Sequence, residues 1–266
     1  MTGKNRYSWV EKDGMKFLTF NHLAEAGLFT LFTTSTMNFK DDKSLCENKT
    51  PNKEYLKFMV KEFELKADEF FVGKQEHTNH IEVVSDLNAG KTGEFARTFA
   101  DTDGLVTDLE RVCLLTRFAD CTPVVLFDVK NRVQANVHSG WRGTTKHIAV
   151  EALKVMKEKY NTNPVNVLVG IGPTITNNEF EVDEDCANIF RESFDNIDEF
   201  MRSEGAKYMI DLQELIEFDL MKEGVRKESI ETIKLSTRYD ERFHSYRRQG
   251  KEYGLMCMLS VKLANK

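Results

Sequence analysis

The sequence is poor in cysteine, proline and histidine and has no long apolar run. Of 266 residues, five are cysteine, four proline and six histidine. The cysteines are scattered without paired spacing, which excludes a disulfide framework and makes a reduced, cytoplasmic setting the simplest expectation. Four prolines and no Gly/Ser tract leave no obvious linker, and no repeat or low-complexity segment breaks the chain. A single domain over residues 1–266 is therefore expected. The longest apolar runs, such as Pro123–Phe127, are far too short to span a bilayer. No apolar stretch follows Lys4 and Arg6, so no secretory signal is expected. Basic residues are outnumbered as well: 37 Lys and Arg stand against 43 Asp and Glu, a net charge of -6. Nothing in that balance favours nucleic acid as a partner. Six histidines limit the metal sites the chain can hold, and a multicopper centre with its His-x-His pairs is disfavoured.

Apolar residues are plentiful. They make up 41% of the chain, and aromatics 11%, enough to build a large core. Tyr7, Trp9 and Val10 precede a turn at Lys12-Asp13-Gly14 and Phe17, Leu18 and Phe20 follow it, which predicts a hairpin. Residues 37–49 are polar and read as a loop. Thr50-Pro51 reads as a helix start, and Tyr55, Phe58, Met59 and Phe63 recur at helical spacing. Residues 69–72, 81–84, 121–129, 133–138 and 165–171 have strand character. Between the last two, Ala149, Ala152, Leu153, Met156 and Tyr160 follow helical spacing. Asp183 and Asp211 are placed to cap two more helices, the second closed by Gly224. Strands at about 231–237 and 253–263 complete the pattern. The expected class is mixed α/β, with mixed sheets flanked by helices.

Three segments carry candidate chemistry: Gln75-Glu76-His77-Thr78, Ala119-Asp120-Cys121-Thr122-Pro123, and Val137 to Gly143. Cys121 stands where a polar segment becomes a buried strand. As a lone residue it reads first as core, since cysteine is among the most buried types. The short link from Phe127 through Asn131 to Val137 favours an antiparallel hairpin, which brings His138 to the same sheet edge as Cys121. His138 is then a metal ligand, a general base, or a histidine bonded to backbone at a strand end. His77 alone reads as a loop histidine, and His80 as a bystander. Two histidines and a thiolate suit Zn²⁺ with a fourth position open to water. The loop from Ser139 to Thr145 holds two glycines and Arg142 before a helix, a pattern able to meet an anion. Arg247 and Arg248 form another basic cluster, either a solvated edge or a grip for an oxyanion.

Taken together, Gln75-x-His77, Asp103-Gly104-Leu105-Val106-Thr107, Ala119-Asp120-Cys121-x-Pro123, His138-x-Gly140-Trp141-Arg142-Gly143, Ile171-Gly172-Pro173 with Phe180-Glu181-Val182, and Ser245-Tyr246-Arg247-Arg248 occur in one order. From about residue 70 onward this set resembles the YfiH-like, laccase-domain family, also called the polyphenol oxidase or peptidoglycan-editing-factor family. The resemblance implies a sandwich-like mixed α/β fold with helices outside. It implies a purine nucleoside phosphorylase acting on adenosine, inosine, guanosine and methylthioadenosine, with adenosine deaminase activity. It places zinc on His77, Cys121 and His138, with copper disfavoured, and makes Gln75, Arg142, Arg247 and Arg248 candidates for substrate or phosphate. Where the family carries an arginine and a Gly-Gly pair after its first Phe-Thr segment, this chain reads Ser35-Thr36-Met37; a family Gly-Arg pair reads Gly254-Leu255. The alternatives are a Cys–His or metal-dependent hydrolase editing peptidoglycan precursors, and a non-catalytic paralogue that binds nucleosides.

Overall fold

The structure is a computed structural model that describes residues 7–40, 51–93 and 96–263. In chain order the first elements are β1 (Tyr7–Lys12), β2 (Met15–Phe20), α1 (Asn21–Glu25), β3 (Leu28–Thr33) and α2 (Pro51–Glu62). Next come β4 (Glu69–Gly73), β5 (Ile81–Val83), β6 (Lys91–Thr92), β7 (Arg97–Phe99), β8 (Gly104–Thr107) and β9 (Val112–Phe118). The central run is β10 (Thr122–Asp128), β11 (Val133–Ser139), α3 (Trp141–Thr144), α4 (Ile148–Tyr160) and β12 (Val167–Ile171). It continues with β13 (Glu181–Val182), α5 (Glu184–Ser193), β14 (Met201–Glu204), β15 (Lys207–Ile210) and α6 (Leu212–Lys222). Last are β16 (Ile230–Thr232), α7 (Tyr246–Gln249) and β17 (Met256–Lys262).

Two large mixed sheets pack face to face. One has eight strands in the order β1-β2-β3-β17-β9-β4-β7-β6; the other has six, β16-β12-β10-β11-β8-β5. The expected mixed α/β class is what the chain adopts. Strand β10 explains the layering. Its residues alternate between faces: Val124 and Leu126 pack under α4 and α6, while Val125 and Phe127 meet Phe32, Phe118 and Met258 of the opposite sheet. Burying each such side chain contributes on the order of 1.5–3 kcal/mol, which is why the strand reads as an unbroken apolar run. Helix α2 covers the outer face of the eight-stranded sheet through Leu56 and Met59. Alternation in β11 has a different meaning. Gln134 and Asn136 face the opposite sheet, not water, and donate to the Val112 and Leu114 carbonyls at 3.0 and 3.1 Å. Those bonds engage both side-chain amide donors between the sheets and tie one sheet to the other.

Several local expectations change. Thr50 lies outside the described residues. Asp183 stands at the N-cap of α5 but makes no capping bond, because Lys207 holds its carboxylate. Asp211 does cap α6, accepting from the Glu214 N–H at 2.9 Å. The strand expected over 231–237 is only β16, since pairing with β12 ends at Thr232. Residues 164–166 form a single 3₁₀ turn before β12. A small third sheet, β13-β15-β14, is not visible in the sequence; its strands are two to four residues long and pack with α5. No helix among the described residues is long and apolar enough to cross a membrane.

Candidate metal centre and cavity

The β10–β11 hairpin sets the geometry. Its register pairs Pro123 with His138 and Thr122 with Ser139. Cys121 lies two residues before Pro123, so it faces the same side as His138, one diagonal step away. His77 arrives from the loop between β4 and β5, in a left-handed conformation with φ 59°. Its Nε2 stands 3.8 Å from the Cys121 Sγ, and its ring lies 5.0 Å from that of His138 at 74°. The three candidate ligand atoms all lie within 4.8 Å of one another. An edge of a tetrahedron built on Zn–N and Zn–S bonds of ~2.0–2.3 Å is about 3.5 Å, so the 3.8 Å separation is close to a zinc-holding geometry. Two imidazoles and one thiolate can therefore hold a metal ion here.

Asp103, just before β8, organises the centre. It is fully buried and accepts the N–H groups of Glu76, His77 and Thr78 at 3.1, 3.0 and 2.8 Å. It also accepts from the Thr78 hydroxyl and from His138 Nδ1. Burial pushes its pKa up, but these bonds and the charge of His138 prevail and hold it at about 2. Asp120 frames the other side. Its backbone is left-handed at φ 76°, and its carboxylate accepts from the Thr237 hydroxyl at 2.7 Å and the Arg247 N–H at 2.6 Å. Two non-glycine residues with positive φ thus flank the thiol, each held by hydrogen bonds to or from a buried carboxylate.

Burial raises the Cys121 pKa, yet His138 and His77 outweigh it and bring the thiol down to about 6. Burial likewise lowers His138, but the Cys121 thiolate and Asp103 outweigh it and raise the ring to about 9. Without metal, the pair is thiolate and imidazolium between those values. Alkylation of the metal-free protein by iodoacetamide is expected to rise through about pH 6 and stay level above it, because the reactive thiolate is then fully formed. A midpoint near 9, seen by mass spectrometry of the Cys121 peptide, would contradict this pairing.

The centre opens into a cavity of about 650 Å³, a size suited to a small organic ligand. Trp141, Phe180 and Leu212 form an apolar wall, and Tyr246 stands at the rim, 57% exposed. Arg142 lines the cavity with its guanidinium over the Trp141 ring, 4.2 Å from the centroid. Arg247 also lines it, while its guanidinium donates to the Glu179 and Glu181 carbonyls. Gln75 reaches the cavity but is tied at both ends to the Arg117 backbone, at 2.8 Å each. Arg248 is not brought in: its guanidinium donates to the carbonyls of Thr237, Arg238, Asp240 and Phe243. That contact set pins the loop before α7. His80 is exposed and lies outside the cavity. Sequence reasoning misses Asp103 and Asp120 as site-builders, and Arg117 as a buried cation lining the cavity.

The family model described as multi-copper polyphenol oxidoreductase laccase matches residues 36–262, beginning well before residue 70. Purine nucleoside phosphorylase YlmD of Bacillus subtilis is 31% identical over 217 residues, covering 80% of this chain and 77% of that protein. A protein named adenosine deaminase RL5, from an unknown prokaryotic organism, is 28% identical over 135 residues, half of this chain (50%) and 51% of its own length. The crystal structure of YlmD from Geobacillus stearothermophilus superposes with a TM-score of 0.84 at 22% identity, covering 96% of this chain and 98% of that one. That of the hypothetical protein YfiH from Bacillus licheniformis gives 0.83 at 22%, covering 98% and 100%.

Proposed function

The chain belongs to the family described as multi-copper polyphenol oxidoreductase laccase, and we propose that it acts as one catalytic domain that cleaves purine nucleosides with phosphate. The observation that carries this reading is the convergence of His77, Cys121 and His138 on one cavity, in a chain whose relatives are named for that reaction. Zinc is the metal proposed. Two imidazoles and a thiolate are a donor set that would hold it at the cavity. When bound, zinc supplies Lewis-acid activation of water, the chemistry that adenosine deamination requires.

Phosphorolysis forms a bond from a phosphate oxygen to the anomeric carbon and breaks the bond from that carbon to the base nitrogen. The bonding pair leaves with the base, which takes up a proton, and the products are free base and ribose 1-phosphate. Arg142 is assigned to the phosphate. Stacking on Trp141 orients its guanidinium before the anion arrives. Arg247 adds positive charge beside it, and the apolar wall excludes water from the reacting carbon.

The test is incubation of zinc-loaded protein with inosine or adenosine, with and without phosphate. Phosphate-dependent release of base and ribose 1-phosphate is expected; absence of turnover overturns the reading. Arg142→Met should raise the phosphate KM about 10–100-fold by removing charged hydrogen bonds, with the inosine KM little changed. Arg248→Met should lower Tm and leave the phosphate KM alone. A second reading, a thiol-dependent hydrolase, is favoured by the lowered Cys121 pKa beside His138. Activity that survives chelation and is abolished by alkylation selects it.

A further inference from the structure

We propose that Asp103 is the positioning residue of this centre: one buried carboxylate sets both histidines toward Cys121. The inference rests on reading His77, Cys121 and His138 as the working centre, and concerns a residue outside that set. Oδ1 of Asp103 accepts from the His77 N–H at 3.0 Å and from His138 Nδ1 at 2.8 Å. Its backbone carbonyl also accepts the His138 N–H at 2.7 Å. Both histidines therefore hang on the same residue, one by its backbone, the other by ring and backbone.

Two consequences follow from elementary chemistry. A carboxylate can only accept, so in the neutral ring the His138 proton sits on Nδ1 and Nε2 keeps the lone pair that a metal would take. A ligating histidine needs that arrangement, and a carboxylate behind the ring raises its donor strength. The second concerns the loop. Three successive N–H groups, from Glu76 to Thr78, converge on Asp103 and form a nest around the anion. That nest holds His77 in its left-handed conformation and so aims its ring at Cys121. The Thr78 hydroxyl, at 2.9 Å from Oδ2, completes a set of five donors on one carboxylate. An asparagine would match some of these donors and oppose others, because its NH₂ would face N–H groups.

The test uses the full chain and zinc alone, with no substrate. Zinc affinity is measured by chelator competition for wild type and Asp103→Asn, beside Tm and circular dichroism. The expected result is a folded variant that binds zinc about 10–100-fold more weakly. A lower Tm with unchanged zinc affinity would make Asp103 merely structural and overturn the proposal. Should the variant not fold, the wild type carries the test. Long-range proton–nitrogen correlation spectra of the zinc-loaded protein should show the His138 proton on Nδ1, protected from exchange; a proton on Nε2 overturns it. If zinc does not bind, the same spectrum of metal-free protein, taken at an alkaline pH where the ring is seen to be neutral, distinguishes the two tautomers in the same way. Neither readout depends on phosphorolysis, so a failure of the proposed activity is told apart from a failure of this inference.

Discussion

In the Cys121→Ala protein, bound zinc falls below stoichiometric and phosphorolysis drops at least about 100-fold, while the fold persists. The expected loss exceeds the ~10–100-fold that follows from changing a residue behind a ligand, because a direct donor is removed. Two imidazoles remain, and they alone make a weak site for zinc. The fold survives because Cys121 only borders the inter-sheet core, where Phe118, Val125 and Met256 fill the space. Removing one sulfur there costs about 1 kcal/mol. Metal analysis and turnover measured together decide the matter; full activity with full zinc would remove Cys121 from the centre. The metal-free proteins give a second readout. The Cys121 thiol is depressed to about 6, so its contribution to stability is complete above its ordinary value of 9.0 and is lost as pH falls through 6. His138 is raised to about 9, so its contribution is complete below 6.5 and is lost as pH rises through 9. Between pH 6.5 and 9 the first contribution grows as the second declines, so the pair's share of the stability is nearly level across that window and urea midpoints of the metal-free wild type should show no loss from it there.

The meeting of Cys121 with His138 is legible because a hairpin turn fixes register. Asn131 and Arg132 bound the loop, and counting back along β10 and β11 places the two side chains on one face. The arrival of His77 is not legible from local pattern. It depends on a loop curled around Asp103, 26 residues further on, and no periodicity encodes such a bond. Asp103 and Asp120 are readable as motif members but not as builders, since a buried carboxylate declares itself only through its donors. Arg248 illustrates the reverse error. A pair of arginines in sequence suggests an anion site, yet both guanidinium groups bond carbonyls and only Arg247 lines the cavity. Strands β13, β14 and β15 escape notice because they are too short for alternation to register. Their order is imposed by packing on Phe190 and Ala187 of α5.

Gly140→Ala should damage the centre as severely as losing a ligand, although it removes no donor. A Cβ at this position would stand 2.7 Å from His77 Cδ2 and 3.1 Å from the Cys121 Sγ. Real carbon atoms do not approach that closely, so one of the two side chains must yield. His77 is the one that moves: it sits on an exposed loop, whereas Cys121 immediately precedes β10 and packs against the inter-sheet core. A displaced imidazole breaks the convergence that a metal needs, and a shift of about 1 Å at such a centre costs on the order of 100-fold in rate. The backbone at Gly140 is an ordinary extended one, φ -72° and ψ 168°, so alanine imposes no backbone strain. The effect is therefore steric and local, and Tm should fall by only a few degrees, as for other mild overpacking. The measurement is zinc content with kcat/KM for inosine, beside a thermal melt. Loss of zinc and rate with a near-normal melt places Gly140 as the space that lets His77 and Cys121 meet. If rate and metal are both retained, the two side chains do not meet there in solution, and the centre drawn from their convergence fails with them.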